Sequence, residues 1–274
     1  MMYFETDDLR QSYVVAKNEI RKFIRGKRFT LYVVLIAIVF ALTTALPYVF
    51  GGNIGETPGD VIASYVSFVN LLIILAATLF AAVTIVSEFE ERTALILFTR
   101  PIKKTSIFIG KIVGCIVLET VMIALFYAGI AVVSLIAAGG VSAGLLTSLG
   151  LAILFTIAAS GIAMFFSSIM KKGSTSAILT FVFLLIIVSV ISGAISISTD
   201  PWFMVDQASG TIASCIPEFL EMTREMMISS GLLTPEQAAT LIAAPDLFKA
   251  SVAMVAWGAA SLILSWLAFI RREF

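Results

Sequence analysis

The chain has 274 residues, of which 59% are hydrophobic and only 13% are charged, and its mean hydropathy is +1.04. A soluble domain carries about 25% charged residues, so this composition excludes an ordinary soluble fold and predicts an all-α integral membrane protein. Its 18 basic residues balance its 18 acidic ones, which gives no indication of a nucleic-acid partner, and the absence of histidine excludes catalytic and metal sites that depend on imidazole.

The N-terminal arm, residues 1–28, combines basic residues with a helical repeat of apolar ones. The apolar residues recur at spacings of four, three, four and three, which places them on one helix face: Leu9, Tyr13, Ala16, Ile20 and Phe23. Lys17, Arg21 and Arg25 fall elsewhere on the helix. The pattern predicts an amphipathic interfacial helix on the cytoplasmic membrane surface, with an ordinary solvated helix as the alternative.

Six segments are apolar over the length of about 20 residues that a helix needs to cross a bilayer. They cover residues 29–49, 61–86, 107–137, 145–169, 177–197 and 248–270. The second and third segments are longer than this minimum, so they must tilt, break or project beyond the membrane. The sequence therefore predicts six transmembrane helices.

The distribution of lysine and arginine predicts the topology. All but two of the 18 basic residues lie in the N-terminal arm, in the loops after the second and fourth spans, or at the C-terminus. The two exceptions are Arg224 and Lys249. The positive-inside rule then places both termini in the cytoplasm. It also requires an even number of crossings between Lys104 and Lys171, which places a turn at Gly139-Gly140 between two spans.

Residues 198–247 form the predicted extracytoplasmic segment, and two helix signals stand in it. Pro217 suits the first position of a helix that runs to about Ser229, with Gly231 just past its end. The stretch Thr234-Pro235-Glu236-Gln237 fits a capping box. We expect two short helices packed as an outer lid, within a single transmembrane domain that spans residues 1–274.

Two polar residues inside the predicted spans are candidates for a translocation path. Glu119 lies about 18 Å along the third span from Ile107, which is near the middle of the membrane. It either lines a substrate or proton path, or bonds to a polar neighbour within the bundle. Asn70 in the second span is the weaker candidate, because an interhelical hydrogen bond also explains it.

The loop at residues 88–105 reads SEFEERTALILFTRPIKK from Ser87 to Lys104 and separates the second span from the third. Its acids stand at the start and its bases at the end, which suits the dipole of a short amphipathic helix that Pro101 would end. A plain connecting loop explains the bases but leaves the three acids unexplained. The pattern predicts a helix that docks on a soluble partner.

The run from Glu88 through Thr93, Thr99 and Pro101 to Gly110-Lys111 resembles the cytoplasmic loop of ABC transporter permeases of the type-2 exporter class. The rest of the chain fits that class in outline, from the basic N-terminal helix to a tryptophan-bearing last span that ends in Arg271-Arg272. Arg92 stands where the pattern usually has glycine, and Lys103-Lys104 stand where it has Ser-Arg.

This resemblance implies a coupling helix that docks on a separate ATP-binding subunit. The implied ATPase-coupling residues are Glu88, Glu90, Glu91, Arg92, Thr93, Thr99 and Pro101. The chain has no phosphate-binding loop, because Gly110-Lys111 is followed by isoleucine, so ATP and its hydrolysis belong to the partner and no cofactor or metal is expected here.

The resemblance further implies a permease homodimer with two ATPase subunits, embedded in the lipid of a prokaryotic plasma membrane. Two alternatives stay open at this point. One is a secondary transporter or channel that uses Glu119, and the other is a non-catalytic membrane scaffold.

Overall fold

The computed structural model describes residues 6–52, 54–55, 57–90 and 103–272 of the chain. Within them every regular element is helical and there is no strand. Six helices are long and apolar enough to cross a membrane, and we number them as spans one to six: Lys27–Val49, Pro58–Glu90, Lys104–Ala138, Gly144–Ile169, Gly173–Ser196 and Leu247–Arg271. The predicted six-span, all-helical architecture is confirmed, whereas the cytoplasmic orientation of the termini stays a prediction.

Spans two and four form the centre of the bundle. In the most apolar stretch of each span, 72% of the residues are buried in span two and 61% in span four. The corresponding fractions are only 6% in span one and 22% in span five. Bulky side chains of the central spans, such as Phe80 and Phe155, are almost fully enclosed. Spans one and five therefore present most of their apolar surface to lipid or to another subunit.

The two long spans accommodate their length differently, as the sequence required. Span two is interrupted, with a π-helical turn at Ala77–Ala81 and a break in the helix at Ile85. The backbone N–H groups of Ile85 and Val86 donate to Ser167 Oγ of span four at 3.1 and 3.0 Å. Span three is continuous over 35 residues, about 52 Å at 1.5 Å per residue, so it extends beyond the hydrocarbon layer.

The turn after span three lies where it was predicted. Gly139 adopts a left-handed conformation with φ of 69°, which ends the helix. The Ser134 hydroxyl donates to the carbonyl oxygen of Gly140 at 2.7 Å, which fixes the turn against the last helical residues.

The 198–247 segment contains both predicted helices and a third that was not predicted. The predicted pair are Pro217–Ser229 and Pro235–Leu241, and Thr234 and Gln237 make both hydrogen bonds of the capping box. The additional helix, Val205–Ser214, packs against spans four and six. Its start carries no side-chain cap, but its buried Val205, Ala208 and Ile212 follow a helical spacing that was available in the sequence.

The N-terminal helix, Thr6–Ile24, packs lengthwise on the first half of span three. Two glycines of span three make this close approach possible. A Cβ atom at Gly110 would lie 2.6 Å from the Ser12 carbonyl oxygen, and one at Gly114 would lie 2.8 Å from that of Ala16. The Gly-x-x-x-Gly spacing of these residues is a known signal for close helix packing in membranes.

The bundle has two distinguishable ends. The loop end carries the N-terminal helix, residues 88–90, residues 103–104, the start of span five and Arg272, while the lid end carries the 198–247 segment.

Candidate functional site

Three consecutive residues at the loop end, Glu88-Phe89-Glu90, each contact a different part of the bundle. They form the last turn of span two, directly before residues 91–102. Glu88 Oε1 accepts hydrogen bonds from Lys111 Nζ of span three at 2.9 Å and from Lys22 Nζ of the N-terminal helix at 3.3 Å. The end of span two is therefore joined by charge to two other helices.

Lys111 is the centre of this charge cluster. Its side chain is only 3% exposed, and its ammonium group donates to Glu19, to Glu88 and, at 3.3 Å, to the backbone carbonyl of Thr84. Each of the three ammonium hydrogens thus has an acceptor. A buried charge is tolerated only when it is paired and hydrogen-bonded, so Lys111 requires both carboxylates in place.

Phe89 packs against the C-terminal arginine of the described chain. The guanidinium carbon of Arg272 lies 4.0 Å from the centroid of the Phe89 ring, which is a cation–π contact. The same guanidinium donates to the carbonyl oxygens of Ser167, Ser168 and Met170 at the end of span four. Partial burial lowers the pKa of Arg272, while its guanidinium N–H groups donate to carbonyl oxygens that would otherwise be unpaired at the end of span four.

Glu90 joins the end of span two to the start of span five. Its Oε2 atom accepts a hydrogen bond from the backbone N–H of Gly173 at 2.8 Å, in the first turn of that span. A carboxylate at a helix N-terminus is stabilised by the free N–H groups and by the helix dipole. A Cβ atom at Gly173 would lie 3.0 Å from Val83 Cγ1, so the position favours glycine.

The other end of the loop is also attached to the N-terminal helix. Lys103 Nζ forms an ion pair with Asp8 Oδ2 at 2.7 Å, and the Asp8 side chain is 7% exposed. Glu88 and Lys103, which lie on either side of residues 91–102 in the chain, therefore both contact the N-terminal helix.

Glu119 occupies a second polar site, enclosed in the middle of the bundle. It is fully buried, and its carboxyl group contacts Cys115 Sγ at 3.2 Å and the Ser160 hydroxyl of span four. The Ser160 hydroxyl also lies 2.6 Å from the carbonyl oxygen of Thr156. The Ser160 hydroxyl thus donates to two acceptors, the Glu119 carboxyl group and the Thr156 carbonyl, which share its single hydrogen.

A family model described as ABC-2 family transporter protein matches residues 13–274 of this chain. The chain belongs to this family. No curated protein matches it. The chain is therefore a multi-pass membrane permease of the ABC-2 type, a component of an ABC transporter, and its family implies a partner subunit that binds ATP. In such transporters ATPase activity normally resides in that separate subunit.

The structure of this ABC-2 permease describes only two of the seven predicted coupling residues. Glu88 and Glu90 lie at the loop end and bond within the chain, as described above. The others lie outside the described residues: Glu91, Arg92, Thr93, Thr99 and Pro101. Lys111, Lys22, Glu19 and Arg272 were not among the predicted site residues, and the structure brings them to the same end.

The two predicted path residues of the permease lie apart. Asn70 precedes Ala81, whose backbone lies near Glu119, by eleven residues in span two, about 16 Å along a helix. Asn70 Oδ1 is buried without a hydrogen-bond partner among the described residues. The two residues therefore do not form one continuous polar site.

Proposed function

We propose that this ABC-2 permease is the membrane subunit of an ATP-driven exporter, and that residues 91–102 dock on its ATP-binding subunit. The observation that carries the proposal is the attachment of Glu88-Phe89-Glu90 to the N-terminal helix, to spans three and five, and to Arg272 beyond span six. A docking loop transmits force only when its ends are firmly connected to the helices that must move.

Each of these contacts joins the end of span two to a different helix. The ion pairs of Glu88 with Lys111 and Lys22 engage span three and the N-terminal helix. The bond between Glu90 and Gly173 engages span five. Because buried charges must stay paired, a displacement of Glu88 by the partner would move Lys111 and Glu19 with it rather than leave a carboxylate alone. Closure of two ATP-bound subunits would in this way be converted into helix movement.

The loop end faces the cytoplasm in this proposal. Most basic residues of the chain lie at that end, as the positive-inside rule requires of a plasma-membrane protein. A cytoplasmic loop end gives residues 91–102 access to a soluble ATPase, and a prokaryotic plasma membrane is the location proposed here.

Two permease copies complete the transporter in this proposal, each with one ATPase subunit. Span one is supported by few neighbours and exposes a row of bulky apolar side chains along its length: Leu31, Val34, Ile38 and Leu42. Span five exposes a similar face. Together they supply an exposed apolar surface on which a second copy of the chain would pack in this proposal, which supports a homodimer.

Co-purification tests this proposal. Tagged full-length permease from native membranes should retain an ATP-binding subunit, and the paired reversal Glu91→Lys with Arg92→Glu should lose it. The control is Glu221→Lys, an exposed acid of the 198–247 segment, which should leave the complex intact. The proposal fails if folded wild-type protein retains no ATPase, or if its transport follows an ion gradient and continues without ATP.

A further inference from the structure

The N-terminal helix has buried acids on one side and exposed bases on another. The two acids whose side chains are described, Asp8 and Glu19, are buried against span three and paired with Lys103 and Lys111. The adjoining face is exposed and carries Leu9 and Tyr13, which are 62% and 67% exposed. The predicted apolar stripe is therefore divided, because Ala16 and Phe23 are buried while Leu9 and Tyr13 point away from the protein.

Two bases on the exposed side of the helix, Lys17 and Arg21, pair with none of the acids that the structure describes. Lys17 and Arg21 are exposed, and neither forms an ion pair or a side-chain hydrogen bond with any described residue. Lys22 on the same helix differs, because Glu88 neutralises it. The outward face of the helix thus has a local positive charge that the protein leaves available.

A groove runs between this face and span three. Its volume is about 280 Å³, and its walls are Tyr13, Ala16, Ile20, Val113 and Val117, with Lys17 and Arg21 at its edge. The surface inside the groove is almost entirely apolar. A groove with apolar walls and two cations at one edge is complementary to a molecule that has a hydrocarbon chain and an anionic head.

The apolar surface continues from the groove along span three. Val113, Val117, Val121 and Leu125 stand four residues apart on one face and are 46%, 44%, 49% and 60% exposed. They cover about 18 Å along the helix, which is close to the thickness of one leaflet of the hydrocarbon core. A lipid chain that starts in the groove therefore meets apolar side chains for most of its length.

We infer that this groove binds one anionic phospholipid, whose phosphate lies between Lys17 and Arg21 and whose acyl chain follows Val113, Val117 and Val121. The inference does not depend on an ATPase partner, because no residue of the groove belongs to the loop that is proposed to dock on that partner. Since the same helix holds Glu19 against Lys111, a bound lipid would steady the helix that carries the charge cluster.

Native mass spectrometry of the purified full chain in detergent tests the inference. The probes are phosphatidylglycerol and phosphatidylcholine with identical acyl chains. Wild-type protein should retain one phosphatidylglycerol per chain in preference to phosphatidylcholine. The double variant Lys17→Gln with Arg21→Gln should weaken phosphatidylglycerol binding about 30-fold, because each cation near an anionic lipid contributes a factor of about five.

Two controls make the result decisive. The double variant Arg10→Gln with Arg25→Gln removes the same charge from exposed positions outside the groove, and it should bind phosphatidylglycerol as wild type does. Val117→Trp fills the groove and should reduce retention of both lipids. The inference is overturned if wild-type protein retains the two lipids equally, or if the Lys17 and Arg21 variant loses no more affinity than the Arg10 and Arg25 variant.

Discussion

Replacing Lys111 with methionine removes the ammonium group on which the loop-end cluster depends. Methionine has a similar length, so the change removes charge with little loss of volume. The Glu19 and Glu88 side chains are only 8% and 16% exposed, and both bond to Lys111. Glu88 keeps Lys22 at 3.3 Å, whereas Glu19 loses the only partner that it has among the described residues.

The expected cost follows from this difference. Removing one partner of a buried ion pair destabilises a protein by about 3–5 kcal/mol, because the remaining charge is left without compensation. Since one of the two carboxylates here keeps a partner, we expect about 3 kcal/mol. The loss should concentrate on the attachment of the N-terminal helix, whose opening would become roughly 100-fold more frequent.

Amide hydrogen exchange of the N-terminal helix in detergent measures this opening. Lys111→Met should raise exchange over Thr6–Ile24, while Lys171→Met, which removes an exposed cation, should not. Adding Glu19→Gln to Lys111→Met should restore most of the protection, since the unpaired carboxylate is then gone. Equal exchange in Lys111→Met and Lys171→Met would refute the view that Lys111 holds this helix.

Three further predictions test other parts of the structure. Gly114→Leu should destabilise the protein by about 2 kcal/mol in thermal unfolding, because its Cβ atom would lie 2.8 Å from the Ala16 carbonyl oxygen, while Gly150→Leu, which has open space, should not. Glu119→Gln should retain ATP-driven transport, because the amide oxygen of glutamine can still accept the hydrogen bond from Ser160, and complete loss of transport would favour a proton path through Glu119. Thr234→Ala should remove a helix cap worth about 1 kcal/mol and speed exchange only over Pro235–Leu241, and unchanged exchange would contradict the capping role.

The features that the sequence predicted correctly depend on local signals. The six apolar segments, the turn at Gly139 and the capping box at Thr234 each arise from a few neighbouring residues, and the structure confirms all three. The helix Val205–Ser214 was not predicted because its start lacks a side-chain cap, although the spacing of its apolar residues is typical of a helix.

The charge cluster at the loop end could not be predicted from neighbouring residues in the sequence. Glu19 and Lys111 are 92 residues apart in the chain, and only the close packing at Gly110 and Gly114 brings them together. For the same reason, the bonds that the Glu88 and Glu90 carboxylates make to other helices of the same chain could not be predicted from local sequence. The predicted role of these two residues in coupling to the ATPase stays a prediction.

ATP hydrolysis by the reconstituted complex tests the central claim, which is that the loop-end cluster transmits movement between the ATPase and the spans. The informative protein is Lys111→Met combined with Glu19→Gln, in which the N-terminal helix should stay folded while the ion pair between Glu88 and span three is removed. The account predicts that this variant still binds the ATP-binding subunit but hydrolyses ATP at least about tenfold more slowly than wild type or Lys171→Met, a change of about 1.4 kcal/mol. Hydrolysis at the wild-type rate in a complex that contains this variant would contradict it.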